Sequence, residues 1–264
     1  MTPGSIKFST GSNYDHSMGD WSRLVGKQFL KWLEIPDGQR WVEIGCGNGC
    51  FTRLLADECS PLSIRAIDPL EAQIEYARRQ LKHFPVEFQV GSALDLPYAN
   101  ESCDVAVMAL VLFFVPDPRR SVDEMRRVVR EGGVVASYVW DTLGGGFPHE
   151  PVQEELAALD VEYPLPPSIE ISPLEPARQL WLDAGLEDVQ CKVVEVERTF
   201  RDFDDMWRSF MIASVGRVID GLDERTRDTL QRTVREKMHE ASDGSITYAS
   251  RANCVKGRVP NGQC

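Results

Sequence analysis

No stretch of this 264-residue chain is apolar for long enough to cross a bilayer. The longest nearly uninterrupted apolar run, Val105 to Val115, is about half of the ~20 residues that a spanning helix needs. It reads as a buried strand followed by a loop. The first twenty residues are polar and rich in glycine and serine, without the apolar core of a signal peptide. The expectation is a cytoplasmic protein with no membrane span. Positive charge is also short: 29 Lys and Arg face 41 Asp and Glu, a net charge of −12. Such a surface repels phosphate backbones, so no nucleic-acid partner is expected. The seven cysteines (Cys46, Cys50, Cys59, Cys103, Cys191, Cys254 and Cys264) are odd in number and lack paired spacing, which argues against a disulfide framework. Cys46 and Cys50 lie close together, but no second Cys or His pair completes a zinc set, so no metal is expected.

What is present is a foldable chain with 42% apolar and 27% charged residues, enough for one large domain or two small ones. Trp21, Leu24, Val25, Gln28, Phe29, Trp32 and Leu33 recur at helical spacing, and Pro36-Asp37-Gly38 closes that helix. Strand and helix signals then alternate. Strands are predicted over Trp41–Ile44, Leu62–Ile67, Val86–Val90, Asp104–Leu110 and Val134–Trp140. Helices are predicted over Phe51–Glu58, Leu70–Lys82 and Arg119–Arg130, the last ended by Gly132-Gly133. Such alternation builds a parallel sheet with helices on both faces and ligands at the carboxyl ends of the strands. The tail reads as a long strand over Val189–Thr199, helices over Phe203–Glu240 and a last strand over Ile246–Val259. The Pro- and Gly-rich stretch Thr142–Pro176 follows the fifth strand and is expected to lie over the ligand face as a lid.

The sharpest feature is Glu43-Ile44-Gly45-Cys46-Gly47-Asn48-Gly49, between a strand and a helix. Glycines let the backbone turn tightly and approach a ligand, and helix N-terminal amides favour its polar groups. The spacing is Gly-x-Gly-x-Gly, shorter than the Gly-x-Gly-x-x-Gly of dinucleotide binders. Asp68 ends the second strand, where a carboxylate can accept both ribose hydroxyls or simply cap a helix. Glu43 in an apolar strand is costly unless its carboxylate is used.

These segments, with Ile67-Asp68-Pro69, Gly91-Ser92-Ala93-Leu94-Asp95-Leu96-Pro97-Tyr98, Cys103-Asp104-Val105, Pro116-Asp117-Pro118, the Arg126–Gly133 turn and Ala184–Val189, resemble the class I S-adenosylmethionine-dependent methyltransferases. The branch they are most similar to is that of ubiquinone and menaquinone biosynthesis. The resemblance implies a Rossmann-like α/β fold: a seven-stranded, mostly parallel sheet with helices on both faces and its last strand antiparallel between the fifth and sixth. It implies one methyltransferase domain over residues 1–264, with a cofactor-covering segment at 1–35, a lid insert at 142–176 and a helical insert at 200–244. By the same resemblance, Gly45 and Gly47 lie against the methionine part of the cofactor and Glu43 organises the loop near its amino group. Asp68 holds the ribose, Pro69 packs on the adenine, and Ser92 and the Ala93 amide read the adenine edge. The carbonyl near Leu110 accepts from the cofactor amino group, and Tyr14, Trp21 and Arg23 close over it. Many relatives carry Asp in place of Ser92, and His where Leu112-Phe113-Phe114 stands here.

Methyl transfer is a direct displacement, for which the protein mainly aligns the acceptor. The expected acceptor is a small molecule held by Phe113, Phe114, Trp140 and the lid. His149, Asp141 and His16 are the candidate bases, with Tyr163 behind them. Two rivals stand beside this reading. A nicotinamide-dependent dehydrogenase would need the longer glycine spacing. A non-catalytic S-adenosylmethionine-binding or methyltransferase-like interaction protein would tolerate the missing histidine.

Overall fold

The computed structural model describes residues 18–262. Tyr14 and His16 therefore lie outside the described residues. Helix α1 (Asp20–Leu33) buries Trp21, Val25, Phe29 and Leu33 on one face, as their spacing predicts. It ends at Glu34, whose φ of 54° leaves the helical path. The Lys256 ammonium donates to the carbonyls of Trp32 and Leu33, a cation at the negative end of the helix.

Strands β1 (Arg40–Ile44), β2 (Ser63–Asp68), β3 (Val86–Val90), β4 (Cys103–Ala109) and β5 (Val129–Trp140) run parallel. Helices α2 (Cys50–Glu58), α3 (Glu71–Gln80) and α4 (Pro118–Val128) occur among their connections. The tail supplies α5 (Glu150–Ala158), α6 (Leu174–Asp183) and β6 (Glu187–Phe200), then α7 (Phe203–Ile212), α8 (Ser214–Asp220), α9 (Glu224–Lys237) and β7 (Ile246–Arg258). The strands form one sheet in the order β3-β2-β1-β4-β5-β7-β6. β7 is antiparallel to both neighbours, β5 and β6. The last strand thus slots between the fifth and sixth, with α7–α9 spliced between the two members of the long terminal pair.

Every residue of β4 except Ala109 is buried, as expected for a central strand covered on both faces. Strand order reverses between β1 and β4, so their carboxyl ends open the crevice where ligands bind in such sheets. The opposite end is tied by Asp104, whose carboxylate accepts from the guanidinium groups of Arg40 and Arg130. Those hydrogen bonds hold its carboxyl well below the usual carboxylate range.

Gly132-Gly133 does not end the preceding helix. α4 stops at Val128 and β5 begins at the next residue. The glycines instead sit in an irregularity where the β4–β5 register shifts between Cys103 and Val105. Gly132 has φ +70°, and a Cβ at Gly133 would fall 2.6 Å from the Asp104 carbonyl oxygen. Among the described residues no helix is long and apolar enough to cross a membrane.

Candidate active site

β1 delivers Glu43 and Ile44 directly into the glycine turn. Gly45 has φ +76°, and a Cβ there would lie 2.6 Å from the Val111 side chain, so only glycine fits. Its N–H donates to the Ile67 carbonyl, tying the turn to the end of β2. Gly47, at φ +53°, has open space where a Cβ would be, which leaves a cradle facing outward. Asn48 Oδ1 accepts from the Cys50 N–H as α2 begins.

Asp68 is held from both sides. Its Oδ2 accepts from Gly47 N–H at 3.0 Å and its Oδ1 from Leu70 N–H at 2.9 Å. It therefore shapes the loop and the entry to α3 while still lining the crevice. Burial raises its pKa, opposed by the Leu70 and Gly47 amides. Glu43 is 1% exposed, and its Oε2 has no hydrogen-bond partner. Burial pushes its carboxyl up to about 8, with Thr52 opposing and Asp68 adding to the rise.

These residues open onto a cavity of about 480 Å³. Glu43, Gly45, Gly47, Asp68, Pro69, Ser92, Ala93 and Leu110 all line it, so the structure brings eight of the expected cofactor positions into one wall. Leu110 turns off β4 at φ 61°, and its N–H donates to the Tyr138 carbonyl. Ser92 Oγ accepts from Leu94 N–H at 3.1 Å, closing its own short turn.

Trp21 and Arg23 do not line this cavity. Trp21 is 1% exposed and packs against Trp140, Phe200 and Tyr248. Arg23 points to solvent and pairs with Asp20. Among the described residues of this segment, Met18 and Ser22, one helical turn apart, reach the cavity, which sequence reasoning missed.

The far end of the same cavity is aromatic. Phe113, Phe114 and Trp140 line it, joined from the 142–176 stretch by Phe147, His149 and Tyr163. The Phe113 and Phe114 rings lie 4.4 Å apart. Gln153 and Ala213 also reach this wall, the latter from the helical segment after β6. Asp141 does not line the cavity. Its carboxylate pairs with Arg251 at 3.2 Å and lies under the Gly144 turn, whose N–H and that of Gly146 donate to the Asp141 carbonyl. The charge is spent on shaping that turn.

His149 precedes α5 and is 2% exposed, between the edges of Phe147 and Phe210 at 5.1 and 5.4 Å. Neither ring nitrogen has a partner. Burial, with Arg198 adding to it, lowers its pKa to about 3, so the imidazole is uncharged at neutral pH. Among the described residues of the lining the charged types are Glu43 and Asp68 alone, both at the glycine end, with no Lys or Arg.

The glycine end suits S-adenosylmethionine. The open cradle at Gly47, the orphaned Glu43 oxygen and two carboxyl groups match a ligand that carries an ammonium and a sulfonium.

A family comparison matches residues 42–137 to the methyltransferase domain. The chain is 31% identical over 124 residues to the rice (Oryza sativa subsp. japonica) chloroplastic 2-methyl-6-phytyl-1,4-hydroquinone methyltransferase 2, covering 46% of this chain and 36% of that one. It is 27% identical over 225 residues to the malonyl-[acyl-carrier protein] O-methyltransferase of Paenibacillus sp. (strain JDR-2), covering 78% of each. The chain spans less than two fifths of the length of four curated relatives that it matches. Its fold superposes on Haemonchus contortus phosphoethanolamine N-methyltransferase 2 in complex with S-adenosyl-L-methionine at a TM-score of 0.56 and 16% identity, over 97% of this chain and 61% of that one. The sheet order and the glycine turn agree with the match of residues 42–137 to the methyltransferase domain, and that stretch of the chain is similar to quinone methyltransferases.

Proposed function

We propose that the protein transfers a methyl group from S-adenosylmethionine to a small-molecule acceptor by direct displacement. The observation that carries this reading is the continuity of the cavity. The same cavity is lined by the glycine turn and by the aromatic residues, so donor and acceptor can be held in one space.

The cofactor supplies a methyl group already activated on a sulfonium. The residues of this chain hold and align. Glu43 meets the amino group, which the Leu110 carbonyl also faces. Asp68 accepts from the ribose hydroxyls while keeping Gly47 in place. Pro69 packs on the adenine, whose edge faces Ser92 and the Ala93 amide. The 142–176 stretch acts as the lid of the acceptor chamber, which Phe113, Phe114 and Trp140 wall from below. His149 serves as an uncharged ring in the chamber wall and not as the base. Residues 1–264 act as one domain in this reading, with the helical stretch 200–244 as a second insert. The net charge of −12 disfavours nucleic acid as the acceptor. The unpaired spacing of the cysteines suits the cytoplasm.

The test is calorimetry followed by turnover. S-adenosylmethionine should bind and NAD should not. Labelled methyl should then pass from the cofactor to a component of a small-molecule extract. Tight NAD binding without a response to S-adenosylmethionine sinks the reading. Cofactor binding with no transfer to any extract favours the non-catalytic binder.

A further inference from the structure

The inward face of the lid helix α5 carries one residue that packing alone does not call for. His149, Val152, Gln153 and Leu156 stand at the spacing of one helix face, and Val152 and Leu156 are fully buried there. Gln153 lies on the same stripe, half-buried, and lines the cavity. Resting on the methyltransferase reading, we infer that Gln153 reads the acceptor, and that the acceptor carries a planar cis-amide edge, the adjacent N–H and C=O of a primary carboxamide or a lactam.

The helix is fixed on both faces. On its outer side Glu154 and Glu155 both pair with Lys237 of α9, at 3.1 and 2.6 Å. On its inner side Val152 and Leu156 anchor it in the core. Position 153 is thereby held on the chamber side. A leucine would pack there at lower cost, since glutamine gives up more rotamer freedom and its amide must stay hydrogen-bonded.

The carboxamide of Gln153 is also uncommitted. Thr142 Oγ1, on the same wall, donates to the Trp140 carbonyl, and the His149 nitrogens are fully enclosed. Gln153 makes no side-chain hydrogen bond among the described residues, and neither of its amide atoms is fully enclosed. An acceptor that fills the chamber takes water away from both atoms and must replace both hydrogen bonds. Oε1 accepts and Nε2 donates, side by side on one planar carbon. A single hydroxyl meets one of them at good geometry and leaves the other unmet. An amide edge with N–H and C=O on the same side meets both at once, donating to Oε1 and accepting from Nε2. An ester or a ketone meets Nε2 alone. A carboxylate would set its charge against Oε1, with no Lys or Arg in the described lining to balance it. The walls formed by Phe113, Phe114 and Phe147 suit the flat face of such a group.

The test uses the full chain and four neutral two-ring probes of similar size: 2-naphthamide, methyl 2-naphthoate, 2-acetylnaphthalene and 2-naphthol. Affinities are measured by calorimetry with and without saturating S-adenosylhomocysteine, whose own binding is recorded separately. 2-Naphthamide should bind at least about tenfold more tightly than each of the other three, the scale of one buried hydrogen bond left unmade. Gln153→Leu should bring the amide-to-ester ratio close to one, while S-adenosylhomocysteine binding stays as in the wild type. Gln153→Met, which keeps the length of the side chain and loses both polar atoms, should do the same. A glutamine that only packs would change all four affinities together and leave the ratio at its wild-type value. Ester, ketone or naphthol binding as tight as that of the amide in the wild type overturns the inference, as does an amide preference that survives in either variant. Should neither variant fold, the wild-type panel still decides on the amide edge. Absence of S-adenosylhomocysteine binding, with the amide preference and its dependence on Gln153 intact, overturns the cofactor reading and supports the amide-reading chamber.

Discussion

Replacing Glu43 with glutamine should make the ligand-free protein more stable at neutral pH and a poorer binder of S-adenosylmethionine. The folded carboxyl titrates at about 8, against 4.5 for the ordinary group. The folded state therefore holds a proton that the unfolded chain has released. Stability from this group is fully present below pH 4.5 and is lost as pH rises towards 8, at about 1.4 kcal/mol per pH unit. By pH 7 the loss is on the order of 3 kcal/mol. Glutamine matches the shape of the neutral acid and does not titrate, so that slope disappears. Burying its amide costs part of the gain, which leaves about 1–3 kcal/mol in favour of the variant at pH 7. Urea unfolding of both proteins at pH 5, 6, 7 and 8 measures the difference. Binding should behave in the opposite sense. A cationic ligand draws the proton off Glu43, so wild-type affinity should rise with pH up to about 8 and binding should release up to one proton. Calorimetry in buffers of different ionisation enthalpy reads that proton directly, and Glu43→Gln should release none. Unfolding curves with the same pH dependence in both proteins would refute the reasoning, because Glu43 would then be ionised in the empty fold.

Ser92→Asp should tighten S-adenosylmethionine binding by about 0.5–1.5 kcal/mol, since a carboxylate can keep the Leu94 amide and offer a second oxygen to the adenine edge. The gain should shrink with an analogue lacking the adenine amino group, and equal gains would place residue 92 elsewhere. Asp104→Asn should lower stability by about 1–3 kcal/mol, because it weakens the hydrogen bonds to Arg40 and Arg130. Cofactor affinity should not change, as the clamp lies at the opposite end of the strands. The low folded pKa of Asp104 means that its contribution is present above pH 3.8 and fades as pH falls further, so the variant should be less sensitive to acid. His149 should show the nitrogen NMR signature of a neutral imidazole from pH 8 down to 4. Because its folded pKa lies below the unfolded value of 6.5, it should cost stability progressively as pH drops from 6.5 towards 3. Titration near 6.5 in the folded protein would show that the ring is not sealed off.

The sheet and the glycine end were legible because their signals are local. Alternating apolar runs mark β1 to β5, and Glu43, Gly45, Gly47 and Asp68 fall within a short span at strand ends. What was misread depends on partners far along the chain. Asp141 looks like a free carboxylate until Arg251 arrives from β7. Trp21 looks available to a ligand until Phe200 and Tyr248 close over it from β6 and β7. Gly132-Gly133 reads as a stop signal unless the Asp104 backbone is known to press against it. His149 reads as an ordinary base, and only Phe210, from the stretch between β6 and β7, turns it into a sealed, uncharged ring.

The terminal strand pair has a bearing on how such a protein acquires its acceptor. β6 and β7 meet edge to edge along their whole length, so the 203–237 helices hang between them without interrupting the sheet. The 142–176 stretch likewise leaves after β5 is complete. These two excursions furnish Phe147, His149, Tyr163 and Ala213, whereas the segment matched to the methyltransferase domain ends at residue 137, just short of Trp140. On the proposed reading the expected cofactor positions from Glu43 to Leu110 fall inside the matched segment, while the chamber draws on both lengths of chain: Phe113 and Phe114 lie within the segment, and Phe147, His149, Tyr163 and Ala213 lie beyond it. The matched segment can then be shared among relatives while the excursions differ and reshape that part of the chamber.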